Sequence, residues 1–210
     1  MAALFTNRVE AGRRLGRALL HYRGPETVVL GLPRGGVPVA REVADALGAP
    51  LDVLVIRKLG SPRHPEFAVG AIGENGVRIV DTESVRMMRL DERELETVEQ
   101  HERTELTRRS DRFRAGKPGL DLTGKRAIIV DDGVATGATA TAACRVARQL
   151  GAAEIILATP VAPADWADRL SAEADALVAL ETPEQFWAVG QWYTRFDQTT
   201  DEEVIACLER

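Results

Sequence analysis

The stretch Ala127-Ile128-Ile129-Val130-Asp131-Asp132-Gly133-Val134-Ala135-Thr136-Gly137-Ala138-Thr139 decides how the chain is read. Its opening residues are apolar without alternation, which suits a strand buried on both faces. Two adjacent carboxylates follow, then a loop of small residues, then an Ala-rich helical segment over 138–150. A strand that passes through a tight loop into a helix puts that loop at the carboxyl edge of a parallel sheet, where open α/β sheets bind ligands. The helix start supplies unpaired N–H groups and a positive dipole end, so it suits phosphate. Thr136 and Thr139 add hydroxyl donors, and Gly137 permits close backbone approach. The acids accept hydrogen bonds and therefore suit vicinal hydroxyls. Diol on the acids and phosphate on the helix start together describe a 5-phosphorylated ribose. Asp132-Gly133 alone would be an ordinary turn; the strand before it and the helix start after it favour the cradle.

Working outward, 7–22 has amphipathic helical spacing through Val9, Leu15, Leu19 and Leu20. Residues 27–32 read as a buried strand that ends at the breaker loop Pro33-Arg34-Gly35-Gly36. A helix over 37–48 follows, with Gly48 as its stop, then a strand from Leu51 to Ile56. The Pro-rich segment 58–67 reads as mobile. Val69–Ile72 and Val77–Val80, joined through Asn75-Gly76, read as a hairpin. Residues 82–115 are charged and helical, with Asp91 as an internal N-cap. The second of these helices either rests Leu95, Val98, Leu106 and Phe113 on the body or serves as a dimer arm or hood. Further strands fall at 155–158 and 176–180, with a helix at 164–173 between them. The expectation is one α/β domain over 1–210 with a mostly parallel five-stranded sheet flanked by helices. A hairpin lid, the helical insertion 82–115 and a C-terminal tail or hood at 183–210 complete it.

Composition narrows the function. The net charge of -5, from 27 basic and 32 acidic residues, argues against a general nucleic-acid binder. No apolar run approaches the roughly 20 residues of a membrane span, and Arg8 and Glu10 fall too early for a secretory leader. Cys144 and Cys207 form no CxxC pair and read as reduced thiols of a cytoplasmic protein. His21, His64 and His101 share no metal-ligand spacing. Neither a Walker A string nor GxGxxG is present.

The run Val130–Thr139 resembles the signature of the type I phosphoribosyltransferases for 5-phosphoribosyl-1-pyrophosphate (PRPP). Gly31-Leu32-Pro33-Arg34-Gly35-Gly36 is similar to that family's pyrophosphate loop, and 58–80 sits where the family keeps its lid. The resemblance covers roughly 27–160, and the tail Phe186–Tyr193 fits a group of such proteins of unassigned substrate. It implies that Asp131 and Asp132 bind the ribose hydroxyls and that Ala135, Thr136, Gly137, Ala138 and Thr139 wrap the 5-phosphate. Arg34, Gly35, Gly36, Arg57 and Lys58 would hold pyrophosphate, and Arg63 and His64 would add lid charge. A guanidinium suits that task because its planar fork pairs two phosphate oxygens. The resemblance also implies a Mg²⁺ cofactor held mainly by PRPP and a small nitrogenous acceptor, and it allows a homodimer.

Departures bear on the acceptor. The hypoxanthine/guanine branch carries an Asp where this chain has Ala135. Ile56-Arg57-Lys58 and Glu66-Phe67 are similar to the adenine branch, which makes Glu66 the candidate general acid/base. Trp187, Trp192 and Tyr193 either supply a stacking face for a flat base or pin the tail to the core, and Val161 is a further candidate pocket wall. The expected activity is pentosyl transfer from PRPP to a purine or related base. A PRPP-sensing regulator and a phosphoribosyl-handling hydrolase or phosphorylase are the alternatives.

Overall fold

The structure is a computed structural model that describes residues 3–61 and 64–209, with backbone alone at 64–67. Among the described residues, eight strands form two sheets. In the larger, β1 (Thr27–Gly31), β2 (Leu51–Val53), β6 (Arg126–Val130), β7 (Glu154–Val161) and β8 (Ala176–Glu181) lie in the order β2-β1-β6-β7-β8. Every pairing in it is parallel. The central strands are apolar throughout because both of their faces are covered. Val29, Ile128, Val130 and Ile156 meet α1 (Arg8–Ala18) and α2 (Gly36–Leu47) through Leu15, Leu19, Val39 and Val43. Val28, Leu30, Ala127, Ile129, Ile155 and Leu157 point the other way, toward α5 (Ala138–Gln149) and α6 (Trp166–Leu170). The two-residue alternation of a strand divides one continuous apolar run between two cores.

This order places the site. The chain leaves β1 into α2 and turns toward β2; it leaves β6 into α5 and turns toward β7. β1 and β6 are neighbours in register from Thr27 opposite Arg126 to Gly31 opposite Val130. Their loops therefore diverge at a topological switch point, which opens a crevice between them.

The second sheet corrects the expected lid. The strand expected to run to Ile56 stops at Val53, and a new strand, β3 (Ile56–Ser61), begins three residues later. It pairs antiparallel with β4 (His64–Gly73), which pairs with β5 (Arg78–Val80). Part of the segment read as mobile is thus strand. Its sequence hides this because Gly60 and two prolines mask the alternation that buries Leu59 and exposes Lys58. The Asn75-Gly76 turn is as expected, with φ of 54° and 79°.

Asp81 caps α3 (Thr82–Met87), and Asp91 caps α4 (Glu92–Arg114) in a reciprocal box with Glu94. At 23 residues α4 spans about 35 Å. It rests on the body: Leu95, Leu106 and Phe113 are buried against β3, β4 and α7 (Asp201–Glu209), with Val98 beside them. Its C-terminal end is clamped by Arg114. That guanidinium reaches Asp52 on β2 at 2.8 and 3.0 Å, the Val53 carbonyl at 2.7 Å, and Glu74 of the β4–β5 turn. No helix among the described residues is long and apolar enough to cross a membrane.

Removing one member of a buried ion network strands its partners in a poorly solvated place, typically at a cost of about 3–5 kcal/mol. Arg114→Ala should therefore lower the urea midpoint sharply. A midpoint unchanged within error would show that the clamp carries no stability.

Candidate active site

The crevice is built by two loops that touch. The amide of Leu32 donates to the Val130 carbonyl at 2.9 Å, so the loop after β1 lies against the end of β6. The Pro33–Arg34 peptide bond is cis. At Gly35 the contact is closest: a Cβ there would stand 2.1 Å from Asp132 Oδ2 and 3.3 Å from Arg8 Nε. At Gly36 a Cβ would stand 2.6 Å from the Val130 carbonyl oxygen and 2.9 Å from Asp131 Cα, so a residue without a side chain is what lets the two backbones meet.

The acids are held from three sides. The Asp132 carboxylate takes a hydrogen bond from Arg8 Nε at 2.8 Å, and the Asp132 carbonyl takes one from the Tyr193 hydroxyl at 2.5 Å. The Asp131 carboxylate accepts the Asp132 amide at 2.9 Å. Burial pushes the Asp131 carboxyl well above the usual carboxylate range, and the neighbouring Asp132 charge adds to the shift. Burial also raises Asp132, although Arg8 opposes it.

Beyond the acids, Gly137 takes φ of 84° and opens α5. A cavity of about 150 Å³ is lined by Asp131, Gly133–Gly137, Thr139 and Ala140. Ala135, Thr136, Ala138 and Thr139 are exposed around it. Arg169 of α6 fastens the loop from outside, donating to the carbonyls of Ala135 and Thr136 at 3.3 Å each. The residues expected at a phosphate cradle are therefore brought together at a helix N-terminus.

The expected pyrophosphate set is divided. Arg57 and Lys58 are consecutive on β3 and so face opposite ways. Lys58 joins Thr136, Ala138 and Arg145 around a second cavity of about 230 Å³ behind the phosphate loop. Arg57 turns to α4 and meets Glu102 at 2.5 Å. Arg34 points toward α7, with Asp201 at 3.6 Å. The side chain of Glu66 and all of Arg63 lie outside the described residues, as does the His64 side chain.

The base-pocket expectation needs correction at three of its four residues. Val161, Trp192 and Tyr193 are buried with Phe5 and Ala11 and present no face to a ligand. They pin the tail: Leu4 and Phe5 donate to the Trp192 carbonyl, and Thr194 donates to the Phe5 carbonyl at 2.8 Å. Trp187 alone is open, at 84% exposure. Arg8, Arg169 and the hydroxyl role of Tyr193 escaped sequence reasoning. Arg8 lies 124 residues from its carboxylate, and an arginine on an amphipathic helix carries no local mark of such a partner.

A carboxyl whose pKa is raised by folding contributes stability only while protonated, and that contribution is lost as pH rises through the folded value. Above the ordinary carboxylate range the raised pKa of Asp131 therefore counts against the fold. Asp131→Asn should raise Tm at pH 7. The gain should shrink toward pH 4, near the ordinary carboxylate pKa of about 4. Thermal melts of both proteins across that range test it; a lower Tm at pH 7 would contradict the assignment.

The sequence profile of the phosphoribosyl transferase domain matches residues 7–194. A Mycobacterium tuberculosis protein named "Putative phosphoribosyl transferase Rv0571c" is 55% identical over 207 residues, which are 99% of this chain. The chain spans about half that protein's length, 47%. The crystal structure of TT1426 from Thermus thermophilus is 44% identical, with a TM-score of 0.88 over 97% of each chain. The AQ2163 protein of Aquifex aeolicus shares the fold at 12% identity and a TM-score of 0.52, over 89% of this chain and 84% of that one. With its signature loops meeting at the sheet's switch point and the domain profile covering most of its length, this chain belongs to the phosphoribosyl transferase family.

Proposed function

We propose that the protein is a Mg²⁺-dependent phosphoribosyltransferase that moves the 5-phosphoribosyl group from PRPP to a purine or related nitrogenous base. The observation that carries this reading is the meeting of three anion- and diol-binding elements in one crevice. They are the helix start at 135–139, the acids Asp131 and Asp132, and the Arg34-Gly35-Gly36 loop.

In this reading Thr136, Thr139 and the first amides of α5 take the 5-phosphate. Asp131 and Asp132 accept hydrogen bonds from the ribose hydroxyls. Arg8 and Tyr193 fix Asp132, so the sugar meets a carboxylate already oriented. The bond from C1 to the pyrophosphate oxygen breaks, and its electron pair leaves with pyrophosphate. The acceptor nitrogen supplies the pair that forms the new C1–N bond, and its proton passes to a base. Glu66 is our candidate for that base. Positive charge gathers on the ring carbon, as in glycoside chemistry, while Arg34 and the Gly35 amide meet the charge that grows on the leaving group; the Gly36 amide is spent on the Leu32 carbonyl at 3.0 Å, so Gly36 contributes close backbone approach instead. Trp187 offers an exposed ring on which a flat base can stack.

The donor set suits Mg²⁺, a hard ion that prefers oxygen and keeps several waters. Asp131 and Asp132 are the carboxylates nearest the ribose position, and among the described residues no cluster of three His, Cys, Asp or Glu forms a protein cage. When bound with PRPP, Mg²⁺ would neutralise the pyrophosphate.

Ligand at about 100 times its Kd adds roughly 2.7 kcal/mol, or roughly 5–10 °C of Tm here. Thermal unfolding with Mg·PRPP should show that rise, and the Asp131→Asn/Asp132→Asn double variant should lose it while remaining folded. Pyrophosphate release would then be screened over candidate bases. Binding without release for any base would leave ligand sensing as the function; no shift in the parent protein would remove the PRPP reading. If release is found, Glu66→Gln should lower kcat more than PRPP affinity, and an unchanged kcat would take Glu66 out of the mechanism.

A further inference from the structure

We infer that Arg109, on the long charged helix α4, is a pyrophosphate-binding residue that completes the subsite begun by Arg34 and Arg57. The inference rests on the PRPP reading and extends it to an element outside the sheet and its loops.

The geometry begins with the helix period. Glu102, Leu106, Arg109 and Phe113 recur at spacings of four, three and four, so they share one face of α4. Leu106 and Phe113 are buried on that face together with Val37, which follows Gly36 of the Arg34 loop, and Leu59, two residues after Arg57. The face is therefore turned toward the pyrophosphate loop and β3. Contacts on either side of Arg109 fix its direction. Toward the N-terminus, Glu102 meets Arg57 at 2.5 Å. Toward the C-terminus, Arg112 holds Asp201 at 2.7 Å, and Asp201 stands 3.6 Å from Arg34. Arg109 lies between those two links.

Its electrostatics are unusual for an arginine in such a place. It is half-buried, and it donates to no carboxylate or carbonyl among the described residues. Burial presses its pKa down, and the guanidiniums of Arg57, Arg108 and Arg34 press it further. Glu105, the acid that opposes this, is engaged by Arg108. A partly desolvated guanidinium that faces other guanidiniums is a cost to the folded chain unless an anion joins them. Arg34 and Arg57 each have a carboxylate within 4 Å, whereas among the described residues Arg109 forms no such ion pair. A multiply charged pyrophosphate group offers acceptors for all three, and bidentate pairing is the geometry in which guanidinium binds phosphate best.

The test uses Arg109→Gln, which removes the charge but keeps much of the stem on the buried stripe, and Arg109→Lys, which restores a point charge. Titrations measure Mg·pyrophosphate and ribose 5-phosphate separately, with Arg93→Ala as an exposed arginine of the same helix. A charge-assisted hydrogen bond lost from a binding site weakens binding about tenfold or more. Arg109→Gln should lose that factor for Mg·pyrophosphate and leave ribose 5-phosphate unchanged. Arg109→Lys should recover part of it, and Arg93→Ala should match the parent. Equal weakening of both ligands, or no change in pyrophosphate affinity, would overturn the inference while the PRPP reading stands. A parent protein that binds ribose 5-phosphate but not Mg·pyrophosphate would overturn it as well. A parent that binds neither would overturn both.

Discussion

Two carboxylates side by side at the end of an apolar strand repel one another and lose solvation together. Much of the surrounding architecture holds this pair in place. β6 delivers the acids from the most buried part of the sheet, so their backbone cannot retreat. Arg8 offsets one charge, the Asp132 amide serves the other, and Tyr193 fixes the Asp132 carbonyl. Gly35 keeps the neighbouring loop close enough to confine them. The strain is local, and the scaffold that sustains it is a pair of well-packed apolar layers.

The same logic organises the cationic side of the crevice. Arginines gather from three elements: the loop after β1, the strand β3 and the helix α4. Glu102 and Asp201 temper two of them. Such a gathering carries repulsions that are set up at folding, and an anion bound among these arginines would relieve them. The clamp at Arg114 belongs to the same design: it fixes the end of α4, so the arginine-bearing face cannot roll away from β3.

What was legible in the sequence was whatever local chemistry encodes. The strand Ala127–Val130, the small-residue loop and the helix start stand as read, as do the Asn75-Gly76 turn and the Asp91 cap. Each depends on residues a few positions apart. β3 was missed because Gly60 and nearby prolines speak for a loop, while the burial of Leu59 beneath α4 outweighs that preference. Trp192 and Tyr193 were read as pocket walls or tail anchors. An aromatic cluster has the same composition in either role, and only the position of Phe5 decides between them. Arg8 and Arg109 were illegible for a related reason: each sits on a helix full of arginines, and what distinguishes it lies far away in the chain.

The bond from Tyr193 to Asp132 also has a consequence for the order in which the protein is made. The chain emerges from the ribosome with Arg8 already present when Asp132 appears. All five strands of the parallel sheet are complete once Glu181 has emerged. Tyr193 comes 61 residues after the carbonyl it binds. At about 5–20 residues per second, that interval is roughly 3–12 s. During it, the acid pair has its strand and its arginine but not its hydroxyl, and the apolar face that receives Phe5, Trp192 and Tyr193 is uncovered. The arrival of the segment around Tyr193 therefore both closes this core and sets the geometry of the carboxylates.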